Sequence, residues 1–538
     1  MPISTVIKSI RKLFTGNTNF SEGLRVVVNT EKLEQRVAVV ENGVLEEYTI
    51  ERTGTQHIVG SIYKGRVRNL EQGLKAMFVD IGLEKNAFLH FWDAIPAADS
   101  EDQEEGLRDD IEHIDRGGKP KPKKKKITAK DIPGLYPVGS ELLVQVTKGP
   151  IGNKGPRVTS NISLPGRFLV LMPLTDMFGI SRKIDQPKER DRLRKILRKL
   201  NVPDGMGVIM RTVCEGKRAR YFVRDLAMLV KQWKEISEKA GSRGAPVCAF
   251  QEPDLVERTV RDFLTEEVDE VICDDEETTE RMRQLVGLIS RRSKKRIHCV
   301  TGSETIFEKL GIQKQIDNAF TRQVWLKCGG YIVIDETEAL IAIDVNTGRN
   351  KGSDDLEKTI LVTNLEAAAE VARQLRLRNM GGLIVVDFID MKHRRDQQAV
   401  YKMLKDRMHR DKAKVQLVPI SPLGLLELTR QRLHDSLSTA VFDTCPTCRG
   451  VGRIKSVESM SVELQRRLAG ILKRYPDTDH DLMITVSPEV MHRLRTHDEQ
   501  TLVEIERKHH GRLSFRVDPT MHRETITVTN AQTGKEMK

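Results

Sequence analysis

Two short apolar segments on either side of one long helical stretch constrain this chain more than any other feature. They read Leu340-Ile341-Ala342-Ile343-Asp344-Val345-Asn346 and Leu383-Ile384-Val385-Val386-Asp387-Phe388-Ile389-Asp390. Runs this rich in β-branched and apolar residues predict buried strands. Between them the chain turns through Gly348 and Gly352. A helix is expected over about residues 354–378, with Asp354 and Glu357 spaced as a capping box and Gly381-Gly382 ending it. Apolar strand, helix, apolar strand predicts two neighbouring parallel strands in an α/β layer.

Alternation along the first strand puts Asp344 and Asn346 on one face and Ile343 and Val345 on the other. Asp344 and Asp387 then lie towards the carboxyl ends of adjacent strands, the edge at which open α/β sheets hold ligands. Two carboxylates brought together there repel unless a hard cation lies between them, and Mg²⁺ takes a few carboxylates and completes its shell with water. A carboxamide at Asn346 can orient a carboxylate or an attacking water. Acids at strand ends also cap loops, but two acids and an Asn converging after buried strands favour a metal site, with Asp344, Asn346 and Asp387 as its catalytic residues.

Composition bounds the partner. The 538 residues carry 89 Lys+Arg against 77 Asp+Glu, a net charge of +12, which points to nucleic acid. No apolar run approaches the roughly 20 residues of a membrane span. No signal-peptide core follows Lys8, Arg11 and Lys12. Seven cysteines with only one close pair argue for a reducing, cytoplasmic setting rather than a disulfide framework. Residues 6–14 are amphipathic; a frayed or docked helix accounts for them, and their short apolar face makes a peripheral membrane anchor the lesser alternative.

Short strands separated by turns from 57 to 160 predict a small barrel. It is interrupted at 97–132 by an acidic and then lysine-rich segment, too polar to build a core and expected to be a mobile loop. On the barrel, Phe78 and Phe88 offer stacking surfaces, with Lys64, Arg66 and Lys154 as phosphate partners; the bland alternative makes one Phe core. Arg211-Thr212, after the strand-like 208–210, sets a guanidinium fork beside a hydroxyl, the parts of a phosphate clamp, although Arg-Thr pairs are common on any surface. Cys445-Pro446-Thr447-Cys448-Arg449-Gly450 is one knuckle of a four-ligand zinc site. Distant residues such as Cys328 or His434, or a second copy of the chain, would complete it; a redox motif is the runner-up.

These residues resemble the bacterial ribonuclease E/G endoribonucleases from about 24 to 453. The resemblance is most specific in Ile343-Asp344-Val345-Asn346, in Asn364-Leu365-Glu366-Ala367-Ala368 through Arg373-Gln374-Leu375-Arg376-Leu377-Arg378, and in 381–391. Gly424-Leu425-Leu426-Glu427, Arg430-Gln431-Arg432-Leu433 and the Cys445–Gly450 knuckle complete it. The resemblance implies a multidomain α/β chain. An RNase H-like part (1–56 and 257–320) would hold an inserted OB-fold RNA-binding barrel (57–160) and a 5′-end sensor (161–256). A DNase I-like catalytic subdomain (321–442), a zinc link (443–455) and a small C-terminal α+β domain (456–538) would follow. It implies that Asp344 and Asp387 hold Mg²⁺ with Asn346 in support, and that Arg211, Thr212 and the backbone of Val170 recognise a 5′-monophosphate. Phe78, Phe88 and Lys154 would grip single-stranded RNA, and Cys445 and Cys448 would give half of a Zn²⁺ site shared between protomers of a homodimer or dimer of dimers. Three features depart from the family: Lys414 stands where an Arg often lies on the RNA path, which keeps charge but loses a bidentate fork; the 97–132 insertion lies outside the family core; and no long disordered tail is expected, so in length the chain is closer to ribonuclease G or to a bare catalytic half.

The expected activity is Mg²⁺-dependent cutting of single-stranded, A/U-rich RNA with a preference for 5′-monophosphorylated ends, in rRNA and tRNA processing and mRNA decay. Its rivals are a non-catalytic RNA-binding protein and a DNA nuclease. The first has no need of converging acids in a basic chain, and competition between RNA and DNA separates the second.

Overall fold

A computed structural model describes residues 23–52, 58–95, 111–114, 127–150, 154–263, 268–289, 293–350, 356–432, 436–474, 481–508 and 512–537. The amphipathic opening at 6–14, the acidic and lysine-rich runs of 97–132, Asp354 and His434 lie outside them. The chain divides into two compact units, Met1–Ala440 and Val441–Lys538.

In the first unit, Leu24–Thr30, Glu34–Glu41 and Val44–Arg52 form an antiparallel meander, and Val268–Cys273 and Ile297–Cys299 extend it in parallel beyond Leu24–Thr30. Residues 24–52 and 268–299 therefore share one sheet, and the chain between them is inserted. Val26, Val28, Val37 and Val39 pack under the helices Leu255–Phe263 and Glu276–Ile289, while Val27, Ala38 and Val40 meet Ile306 and Phe307 on the other face.

Within the insertion, Ile62–Glu71, Ala76–Asp80, Ala87–His90, Arg157–Thr159 and Glu141–Lys148 close a five-stranded, OB-like barrel, because the first strand pairs back onto the last. Val67, Met77, Val79, Ala87, Leu89, Val144 and Val158 fill it. A third sheet follows in the order Leu164–Pro165, Leu169–Met172, Gly207–Met210, Phe178–Ser181, Ile111–His113. Its core packs against the helices Pro187–Lys199 and Ala219–Ser242.

That last strand corrects the reading of 97–132 as a loop alone. Ile111–His113 pairs antiparallel with Phe178–Ser181, and Ile111 and Ile114 are buried. Gly179 permits the approach, since a Cβ there would sit 2.1 Å from Ile111 Cγ2. Glu112 is bridged by Arg190 and Arg194. Ile111-Glu112-His113-Ile114 inside a charged run is short and does not alternate, so it carries no strand signal of its own, yet it suffices once an edge strand is waiting for it.

The fourth sheet, Gln323–Trp325, Tyr331–Glu336, Leu340–Asn346, Gly382–Asp387, Leu425–Arg430, Val415–Leu417, carries the two apolar segments that flank the long helix. They pair in parallel with Asp344 opposite Asp387, and the other pairings are antiparallel. Ile332, Ile341, Ile343, Val345, Ile384 and Val386 face the helices Leu356–Leu377 and Arg394–Met408. Each such side chain contributes roughly 1.5–3 kcal/mol on burial. The alternate residues Asp344 and Asp387 are exposed on the other face. The linking helix ends before the two glycines. Asn379 at φ +50° is its left-handed stop, with Met380 N–H donating to Leu375 O. Gly381 instead makes room for Arg432, whose Cγ would lie 2.8 Å from an added Cβ.

The second unit has a three-stranded mixed sheet, Leu513–Val517, Leu482–Val486, Thr527–Asn530, packed with the helices Val457–Arg474 and Pro488–Thr496. Among the described residues no helix is long and apolar enough to cross a membrane.

Candidate active site

Register decides this site. Asp344 and Asp387 are direct neighbours across the one parallel pair of the fourth sheet, so both carboxylates stand on its open face. Asn346 Nδ2 donates to Asp344 Oδ2 at 2.7 Å and fixes that carboxylate's orientation. Burial, with Asp344 and Asp390 nearby, pushes the Asp387 carboxyl above its ordinary range. Among the described residues no Lys, Arg or His forms an ion pair with either acid. This is a carboxylate pair whose mutual repulsion a divalent cation would relieve, so the residues present fit Mg²⁺ held by Asp344 and Asp387. The described residues contain no cluster of three or more His, Cys, Asp or Glu able to hold a metal.

The helix Leu356–Leu377 brackets the loops around the pair. Asn364, fully buried, donates from Nδ2 to Ile389 O (2.8 Å) and accepts from Ile389 N–H (3.1 Å), pinning the turn that follows Asp387. Thr363 Oγ1 accepts from Asn350 Nδ2 at 2.9 Å in the turn after Asn346. Glu366 accepts from the backbone N–H groups of Lys327 and Cys328 at 2.8 and 2.9 Å. Sequence reasoning quoted Asn364 and Glu366 for resemblance and gave none of the three a role. The available signal was polar side chains on the core face of an Ala-rich helix. The arginines of the same motif are scaffold: Arg373 donates to Leu45 O, Arg376 pairs with Glu46, and Arg378 reaches Thr321 O. Arg430 pairs with Asp411 in the interior. Lys414 is half-buried beside it.

On the barrel, Phe78 and Phe88 are cross-strand neighbours, edge to face at 5.9 Å, half-exposed on the outside while Met77, Val79, Ala87 and Leu89 point inward. Neither Phe is needed in the core. Lys154 is exposed. Lys64 and Arg66 are both held on Glu141, and these two cations push its carboxyl down to about 2.

In the third sheet Val170 lies opposite Ile209, two residues before Arg211, which brings Val170, Arg211 and the exposed Thr212 to one end of one strand pair. Arg211 is already engaged: Nη1 donates to Gly166 O at 2.6 Å and to Asp262 Oδ1 at 3.0 Å. Burial alone would raise Asp262, but Arg261 and Arg211 outweigh it and hold the carboxyl below its ordinary range.

Cys445 and Cys448 flank a tight knuckle, with Arg449 at φ +49° and Gly450 at φ +89°. The backbone N–H groups of Cys448 and Thr447 hold the Cys445 thiol below its ordinary range. Two thiols in one turn, one biased towards thiolate, fit half of a zinc site. Cys328 has its backbone N–H on Glu366 and its Sγ 4.0 Å from Thr363 Oγ1.

Comparison with known proteins shows the family. Residues 163–433 match the model described as Ribonuclease E/G family, and 444–531 match the one described as RNase E/G, Thioredoxin-like domain. The second match carries the likeness beyond residue 453, where the resemblance read from the sequence stops. Ribonuclease G of Escherichia coli strain K12 is 35% identical over 503 residues, 94% of this chain and 99% of that protein. Ribonuclease E of Haemophilus influenzae is 36% identical over 95% of this chain and 52% of its own length, and that of Escherichia coli K12 is 39% identical over 82% and 40%.

Proposed function

The chain belongs to the ribonuclease E/G family, and from that premise we propose that this endoribonuclease is Mg²⁺-dependent and cuts single-stranded, A/U-rich RNA, favouring 5′-monophosphorylated ends. The observation that carries the reading is the register that sets Asp344 against Asp387 on an open face, with Asn346 bonded to Asp344. Bound there, Mg²⁺ supplies charge stabilisation at the phosphorus centre and a more acidic water. Asp344 and Asp387 are its ligands, Asn346 keeps one of them aligned, and Asn364 holds the following turn in place. Phe78 and Phe88 take unpaired bases, Lys154 and Lys414 take phosphates, and Arg211 with Thr212 and the Val170 backbone takes the 5′-phosphate, which must displace Asp262 or share Arg211 with it. The physiological substrates are rRNA and tRNA precursors and decaying mRNA.

The three-stranded meander extended by two parallel strands supports an RNase H-like part, and the mixed sheet bearing the acids supports a DNase I-like subdomain. Zn²⁺ shared through Cys445 and Cys448 joins two protomers, so Cys448→Ser is expected to lower zinc content and yield monomers. One zinc per chain would refute the sharing. The chemistry is tested by product ends: cutting of an unstructured RNA should leave 5′-phosphate and 3′-hydroxyl termini, with DNA of the same sequence a poor competitor. Cyclic 2′,3′-phosphate ends would contradict it.

A further inference from the structure

The open face of the fourth sheet carries a second feature beside the acids. Trp325 and Tyr331 are cross-strand neighbours, and Tyr331 lies directly opposite Asn346, so Trp325, Tyr331 and Asn346 form a row across three strands. Asp344 and Asp387 form the next row on the same face. The two rings are 5.3 Å apart and inclined at 59°. From the turn after Asn346, Arg349 brings its guanidinium 5.7 Å from the centre of the Trp325 ring.

Packing does not explain this Trp. It is 55% exposed, while its strand neighbour Val324 and the opposite Ile332 supply the core contacts on the covered face. A large ring left in water beside an exposed guanidinium presents a π surface with a cation at its edge, the combination on which unpaired bases stack regardless of sequence. Strand geometry puts Trp325 roughly 12 Å from Asp344, a distance an RNA chain crosses in a few nucleotides.

We propose that Trp325, Tyr331 and Arg349 form a base-stacking platform that holds an unpaired nucleobase of the RNA near the bond to be cut, separate from the barrel phenylalanines. The cation and the adjoining acid pair favour RNA over an apolar protein partner, which would leave both charges buried without partners. The platform's place in the reaction rests on the acid-pair reading above; its binding of a base does not.

The chain has three tryptophans, and Trp92 is half-buried and Trp233 buried, so Trp325 is the most open of them to quenching by a stacked base, and its replacement separates its share from that of Trp92. In Mg²⁺-free buffer, an unstructured oligoribonucleotide should quench the emission of the full chain. An abasic ribose-phosphate chain of equal length should not, and Trp325→Phe should remove the quenched component. With Mg²⁺, Trp325→Leu should lower kcat/KM about tenfold, the usual scale for losing one stacked base. Unchanged emission at RNA concentrations that the chain cuts, or equal quenching by the abasic chain, would overturn the platform. Quenching that persists while Asp344→Asn still cleaves would instead sink the acid-pair reading and leave the platform standing.

Discussion

The acid pair and the Arg211 pocket are both charged sites, but they stand in opposite states. Asp344 and Asp387 face each other on an open surface, repelling, with no cation paired to either among the described residues. Arg211 is satisfied from within, by Gly166 O and Asp262. An unmet charge pair draws its ligand directly, since binding removes a repulsion already present. A satisfied cation recognises a ligand only by exchange, so its contribution is the difference between two anions. The first site should therefore be close to all-or-none and the second a matter of preference.

The sharpest way to break this contrast is to neutralise one acid. Asp344→Asn or Asp387→Asn should slow cleavage by about a thousandfold or more while RNA affinity holds, because charge stabilisation at phosphorus is lost. Cleavage and gel-shift assays on the same preparation check both halves. Removing the bracket beneath the pair is a milder perturbation. Asn364→Ala takes the side-chain partner from both polar groups of the half-buried Ile389, at about 1–3 kcal/mol, and should lower kcat with little change in RNA binding; urea melts and kinetics read the two effects.

For the pocket, Arg211→Ala should cut the advantage of 5′-monophosphate over 5′-hydroxyl substrates roughly tenfold, the scale of one charge-assisted contact. Equal slowing on both substrates would make Arg211 structural. The smallest effect concerns pH. Asp262 has a depressed folded pKa, so its contribution to stability is present above the unfolded carboxylate value and is lost as pH falls through the folded one. Asp262→Asn should accordingly flatten the fall in urea midpoint between about pH 5 and 3.

The two regions also differ in how legible they were. Periodicity alone placed Asp344, Asn346 and Asp387 on adjacent strands, because both segments are buried on one face and the helix between them leaves one connection. Arg211 and Thr212 were visible as a pair, but Asp262 is 51 residues away, and no local pattern links it to them. The brackets from Thr363, Asn364 and Glu366 were hidden for the same reason: each acts on a loop brought near by the fold. The strand at 111–113 was lost inside a charged run, and the helix stop at Asn379 was masked by the more conspicuous glycines after it.

The central claim is that the acid pair works through a divalent cation. Single-turnover cleavage of a 5′-monophosphorylated, unstructured RNA across a Mg²⁺ titration tests it most directly. The account predicts a rate that is negligible in chelator, rises to saturation with Mg²⁺, and stays flat for Asp387→Asn at every concentration. Full-rate cleavage in chelator, or an Asp387→Asn curve that follows the parent chain's, would contradict it.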